Sequence, residues 1–229
     1  MEFKEVIEAR RSVRSYTDER LDRDTIEAIV ADATLMPSSY NLQPWEFLVF
    51  TDDEDRERLQ EVAYGQPHVT DAPVAVAILG SLDPAAHVDR VLADQIEKGY
   101  RDEAAAERTR ESILGMRELP EAERHRWSAT STSLAAMGLM LAARDRGVAT
   151  CPMGGFDAEA LRETFEIPDG YVPVMLLTMG YPDEDAEAER LPRKFRRPAS
   201  EVVHYGSFDP AVEDVTEPVR EPEATDDGG

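Results

Sequence analysis

Apolar residues recur along this chain at two spacings. In places they fall every third or fourth position, the period of a helix with one buried face; elsewhere they run together over strand-length stretches. Phe3, Val6 and Ile7 predict a first helix over 3–12. Ile26, Ile29, Val30 and Ala33 predict a second over 24–36, with Asp24 and Glu27 at the spacing of a capping box. WEFLVFT (45–51), aromatic and β-branched, predicts a strand. Thr51 with Glu54 repeats the capping-box spacing and opens a helix to about residue 63, before a buried strand at 73–79 within APVAVAILG. Residues 84–118 are charged and predict two outer helices.

WSATSTSLAAMGLMLAARDRG (127–147) differs from these. Small residues fill most of its surface and let neighbours approach closely, so it predicts a deeply buried central helix over 128–146, closed by Gly147. A strand at 148–152, a helix after Asp157 and the strand YVPVMLLTMG (171–180) complete the body. Helices alternating with strands that are apolar on both faces predict a three-layer α/β or α+β domain over 1–206. Residues 207–229 carry eight acids and one arginine with few large apolar residues, and predict a flexible acidic tail.

Charge sharpens the picture. The 229 residues hold 48 acidic against 25 basic side chains, a formal net charge of −23. The acids are spread along the whole chain, which implies a solvated acidic shell of the kind that molar intracellular salt screens, and so a halophilic protein. Such a balance disfavours nucleic acid binding, which needs a net basic face. No apolar run approaches the roughly 20 residues of a membrane span, and MEFKEVIEARRSVRSY lacks the apolar core of a signal peptide. The lone Cys151 cannot form an internal disulfide, which fits a reducing cytoplasm.

Against that acidic background two basic clusters stand out. Arg10, Arg11 and Arg14 surround Ser12 near the start, and Arg193, Lys194, Arg196 and Arg197 lie within RLPRKFRRP (190–198). Guanidinium groups with a hydroxyl suit a phosphate, and if the clusters converge they form one anion pocket. The first cluster could equally be a set of cations at a helix C-terminus; for the second, salt-bridge partners are the weaker explanation, since five basic residues fall in nine. MPSSYNLQPWEF (36–47) places Ser38, Ser39, Asn41 and Gln43 between Pro37 and Pro44, either an ordinary loop or one that reads ligand edges. CPMGGFD (151–157) follows a strand with paired glycines that let backbone N–H groups approach a ligand. The four histidines lack metal-ligand spacing, and neither a GxGxxG nor a GxSxG motif occurs. No metal and no protein nucleophile is therefore expected, and the chemistry would fall to a bound organic cofactor.

RRSVRSY, PSSYNLQPWEF, PMGGFD and KFRRP, in that order, resemble the FMN-dependent nitroreductase family. GQPHVTDAPVAVAI (65–78) and YVPVMLLTMGYP (171–182) are similar to its nitroaromatic and quinone reductases. The resemblance spans residues 1–206. It implies a mixed β-sheet wrapped by helices, in a homodimer that exchanges C-terminal segments and holds two FMN molecules at the interface. It implies that Arg10, Arg11 and Ser12, with Lys194 and Arg196, lie at the FMN phosphate, and that Arg14 lies at the ribityl chain and pyrimidine edge. Pro37, Ser38, Ser39, Asn41 and Gln43 would come from the other subunit. Pro152, Met153, Gly154 and Gly155 would line the flavin, the two glycines offering backbone N–H near N5.

Many members carry Asn and Lys where Gly65 and His68 stand, so Gln66 or His68 would take those contacts; many also carry an acid at Gly154. The implied activity is ping-pong hydride transfer from NADH or NADPH, through FMN, to a nitroaromatic or quinone. The rival readings are an FMN carrier without turnover, or a relative using FMN for another reaction.

Overall fold

The computed structural model describes residues 2–183, 186 and 191–208. A body ending at Pro192 and a segment beginning at Arg193 form separate units.

In the body the strands are β1 (Trp45–Phe50), β2 (Val74–Ser81), β3 (Ala149–Met153) and β4 (Tyr171–Gly180), ordered β1-β2-β4-β3 in one sheet. Trp45 pairs with Gly80, Val74 with Met179 and Ala149 with Gly180, and a bulge at Ile78/Leu79 shifts the β2–β4 register. The mixed sheet implied by the family resemblance is, among the described strands, wholly antiparallel. The links from β1 to β2 and from β3 to β4 leave and re-enter the sheet at one end, while β2 and β3 run in the same direction and flank β4, each antiparallel to it. Among the described residues, parallel pairing is confined to an isolated bridge between Ser12 and Thr150.

The helices are α1 (Phe3–Ala9), α2 (Arg23–Ala33), α3 (Asp53–Val62), α4 (His68–Asp71), α5 (Val88–Glu97), α6 (Glu103–Gly115), α7 (Glu121–Asp145) and α8 (Ala158–Thr164). Alternation along the strands builds the three layers. Val74, Val76, Ile78, Leu177 and Met179 pack on Ile29 of α2 and on Leu139 and Ala143 of α7. Ala75, Ala77, Leu79, Leu176 and Cys151 face the other way, onto Leu59, Val69 and Leu161 of α3, α4 and α8. β2 is buried along its whole length, the condition in which a strand reads as an unbroken apolar run.

Two helix starts differ from the capping boxes expected. Asp22, not Asp24, caps α2 by accepting from Thr25 N–H at 2.6 Å, while Glu27 accepts from Arg23 at 2.6 Å. Asp52 precedes α3, and Asp53 accepts from the buried Arg56. α7 also begins earlier than expected and is buried on one side only, since Leu134 and Met137 are exposed. Its end is as expected. Gly147 (φ 77°) donates to Arg144 O and Val148 to Ala143 O, the paired bonds of a Schellman motif.

In the C-terminal unit, Arg197 bonds Glu201 across a short helix, Ala199–Val202. The expected tail lies, from residue 209 onward, outside the described residues.

Candidate functional site

The first basic cluster is stitched to the edge of β3. Arg10 closes α1 by donating its backbone N–H to Val6 O at 2.9 Å. Ser12 then bridges Thr150, and Val13 N–H donates to Thr150 O at 3.0 Å. The Tyr16 hydroxyl fixes the far end at 2.7 Å from both Val13 O and Thr178 Oγ1, and burial raises its pKa. Arg11 is committed to the end of the body, donating to Leu191 O at 3.1 Å and Pro192 O at 2.9 Å. Arg14 is exposed, and its charge reaches Tyr16, His68 and Cys151.

A second loop meets the turn that follows the C-terminal end of β3. Gln66 donates to Ala63 O at 2.9 Å and to Gly155 O at 2.8 Å, tying the 64–68 turn to the paired glycines. His68 is 6% exposed and its Nε2 is buried without a hydrogen-bond partner. Burial, then the Arg14 charge, hold its pKa below the ordinary 6.5. The Cys151 thiol is buried and its pKa is pushed up by that burial, against the opposing effect of Arg14.

Pro152 is half-buried and Met153 buried, while Gly154 and Gly155 are exposed. A Cβ at Gly154 would meet nothing within 4 Å, and one at Gly155 only Gln66 Nε2 at 3.7 Å. Neither glycine has the left-handed φ that favours the residue, so neither backbone conformation nor packing at the Cβ of Gly154 requires glycine there. The Arg10–Arg14 segment thus runs along the edge of β3 from Thr150, while Gln66 meets the glycines that follow the strand's C-terminal end, and the Arg14 charge reaches His68.

The 37–43 loop is built around strain. Tyr40, Asn41 and Gln43 have φ of 53°, 60° and 48°, a left-handed conformation that costs an ordinary residue roughly 1–2 kcal/mol each. Leu42 drives it: it is 2% exposed and plugs a cluster of α5 and α6 side chains. Ser38 Oγ accepts from Gln43 N–H at 2.9 Å, and Ser131 Oγ on α7 accepts from Ser39 N–H at 3.4 Å. Strain held by its surroundings in this way marks a shaped surface. A cavity of about 470 Å³ opens beside it, lined by Pro37, Ser38 and Ser39 with Leu119, Trp127 and Leu134.

Lys194 and Arg196 belong to the C-terminal unit, where the Arg196 guanidinium donates to Lys194 O and Phe195 O at 3.1 and 2.8 Å. Arg190 lies outside the described residues. Composition missed the left-handed loop, since neither Tyr nor Gln signals positive φ. It also missed a cavity joining Asn41 and Gln43 to Arg90 and Lys98, whose members are scattered in sequence.

Residues 7–181 match the Nitroreductase family, and the chain belongs to that family. It is 35% identical over 190 residues to YodC of Bacillus subtilis (strain 168), provisionally named an NAD(P)H nitroreductase, covering 82% of this chain and 94% of YodC. It is 25% identical over 240 residues to a 4-nitrobenzoate reductase of Pseudomonas putida, covering 91% and 97%. A crystal structure from Exiguobacterium sibiricum 255-15, described as a provisionally assigned nitroreductase in complex with FMN, superposes with a TM-score of 0.80. It is 30% identical and covers 90% of this chain and 97% of that one.

Proposed function

We propose that this protein is a dimeric FMN-dependent oxidoreductase that uses NADH or NADPH to reduce nitroaromatic or quinone acceptors. The observation that carries the reading is the stitching of Arg10–Arg14 along β3, with the exposed Gly154–Gly155 turn after that strand and the buried, unbonded Nε2 of His68. A phosphate-bearing planar cofactor matches these parts: guanidiniums and a hydroxyl at one end, uncovered N–H groups and open space at the other. Bound FMN supplies the redox chemistry, taking hydride from the nicotinamide and passing two electrons to the acceptor in a second half-reaction.

Each group has a part in holding that cofactor. Arg10 and Ser12, with Lys194 and Arg196, bind the phosphate, and Arg11 braces the segment through Leu191 and Pro192. Arg14 brings positive charge to the pyrimidine edge, and His68, neutral at ordinary pH, packs beside it without adding a second charge. Pro152 and Met153 form the floor, and the Gly154 and Gly155 backbone donates toward N5. Pro37, Ser38, Ser39, Asn41 and Gln43 close the site from the second subunit.

Leu134 and Met137 on α7, with Phe3 and Ile7 on α1, are exposed apolar residues suited to that subunit contact. C-terminal segments exchange between subunits, and the acidic tail beyond residue 206 is dispensable for flavin binding. The acidic shell adapts the protein to a salt-rich cytoplasm. Among the described residues no helix is long and apolar enough to cross a membrane. Arg10→Ala and Arg196→Ala should each weaken FMN binding about tenfold or more, the scale of a charge-assisted phosphate contact. Unchanged flavin occupancy in both variants would refute the phosphate assignment.

A further inference from the structure

Leu42 sets Asn41 and Gln43 against α5. Between the loop and the helix lies a cavity of about 400 Å³, whose helical wall is His87, Arg90, Val91, Asp94 and Lys98. These positions recur at helical spacing, so one face of α5 forms that wall. A second cavity of about 460 Å³ shares Asn41, Asp94 and Lys98 with the first and extends it to Tyr100 and Arg101.

The sign of the charge reverses here. The chain carries 48 acidic and 25 basic side chains, yet these joined cavities hold Arg90, Lys98 and Arg101 against a single carboxylate, Asp94. Lys98 Nζ pairs with Asp94 at 2.7 Å, which raises the ammonium's pKa and keeps it charged. Arg101 is held by Gln95 at 2.7 Å and Thr109 at 2.9 Å, leaving donors of its fork uncommitted. Arg90 makes no hydrogen bond or ion pair with any described residue.

Arginine stems on a helix also serve to cover apolar surface, and free surface cations are common. What separates this face from that background is the local excess of cations in an acidic protein, lining a cavity shared with loop residues assigned to the flavin. Arg90 and Lys98 are about 12 Å apart along the helix axis, so a ligand with separated anionic groups is needed to use both.

We propose that this cavity is an anion site that receives the phosphates of the nicotinamide dinucleotide reductant. The inference rests on the flavin reading above: with Asn41 and Gln43 beside the flavin, a nicotinamide stacked there lies at the mouth of the cavity. Its pyrophosphate, and the 2′-phosphate of NADPH, then run along α5 between His87 and Arg101. The rival source of the same chemistry is the phosphate of FMN itself.

The test uses the full-length holoprotein and its Arg90→Ala, Arg90→Glu and Arg90→Lys variants. Binding of adenosine 2′,5′-bisphosphate to the oxidised protein is read by calorimetry. KM is read for NADPH and for a phosphate-free N-benzyl dihydronicotinamide. Arg90→Ala should weaken the bisphosphate about 5- to 10-fold, and raise the KM of NADPH by that factor relative to the phosphate-free reductant. Arg90→Glu should do more, and Arg90→Lys should restore most of the loss. Unchanged bisphosphate affinity in both the Ala and Glu variants would overturn the site. Loss of flavin from Arg90→Ala, with bisphosphate binding unaltered, would also overturn it and assign the charge to FMN. Should the protein carry no flavin, the oxidoreductase reading fails separately, because the titration still reads the anion site.

Discussion

Gly80 lies where α7 crosses β2, and the geometry there allows a sharp prediction. A Cβ at this position would fall well under 3.0 Å from Ser128 Oγ, 3.0 Å from Thr132 Oγ1 and 3.5 Å from Ser128 Cβ. Both hydroxyls are wholly buried and neither has a hydrogen-bond partner. Gly80→Ala must therefore move α7 off the sheet or turn Ser128 away, an overpacking cost of about 1–3 kcal/mol. At about 2–4 °C per kcal/mol for a chain of this length, Tm should fall by roughly 2–12 °C.

Ser128→Ala has the opposite expectation. It deletes a buried hydroxyl that bonds nothing, so it should be neutral or stabilising by about 1 kcal/mol. It also removes the clashing oxygen and leaves only the ordinary 3.5 Å contact with its Cβ, apart from Thr132. The double variant should then regain at least half of the Gly80→Ala loss, a coupling of about 1 kcal/mol. Thermal unfolding of the four proteins in molar KCl reads this, with bound flavin recorded alongside. Flavin retention should follow stability, because α7 carries Ser131, which accepts from Ser39 N–H in the strained loop. If Gly80→Ala melts with the wild type, or the two changes simply add, the close packing of α7 on β2 is refuted.

Three further outcomes follow from the charges. His68 is depressed below 6.5 by burial, so the unfolded chain takes up its proton first; stability present above about pH 6.5 is lost as pH falls through that window. His68→Gln should flatten this loss in pH-dependent melts, and an unchanged profile would place the titration elsewhere. Deleting residues 209–229 should leave a yellow, flavin-bound protein, and a colourless product would show that the tail is structural. Because 48 acids face 25 bases, Tm should fall when molar KCl is replaced by dilute buffer, and an equal Tm in both would refute the halophilic shell.

How much of this was legible in sequence varied with the physics involved. The strand at Tyr171–Gly180 is read to the residue, because its apolar run is bounded by Gly170 and Gly180. The end of α7 at Gly147 is equally plain, since a left-handed C′ position selects glycine. Helix starts were not, because DRDTIE offers several acids. Which one caps is decided by Arg23 drawing Glu27 away, a side-chain competition that no spacing rule records.

Strand direction is set by how connections return to the sheet, so composition could not tell antiparallel from mixed. Of the motif residues, the structure ties Ser12 to Thr150 of β3 and Gln66 to Gly155 just beyond it, contacts between segments far apart in sequence. The left-handed Tyr40 and Gln43 escaped notice because a tertiary contact, Leu42 in the α5–α6 cluster, imposes them. The Arg90 cavity escaped for a similar reason: its residues are joined only once Leu42 docks.

The central claim is that bound FMN relays hydride from a nicotinamide to an electron-poor acceptor. An absorption spectrum of the protein in molar KCl, taken anaerobically before and after NADH or NADPH, tests it most directly. A flavin band that bleaches on addition and returns with a quinone or nitroaromatic is the predicted result. A band that stays oxidised with both reductants, or no flavin band even after FMN is added, would contradict it.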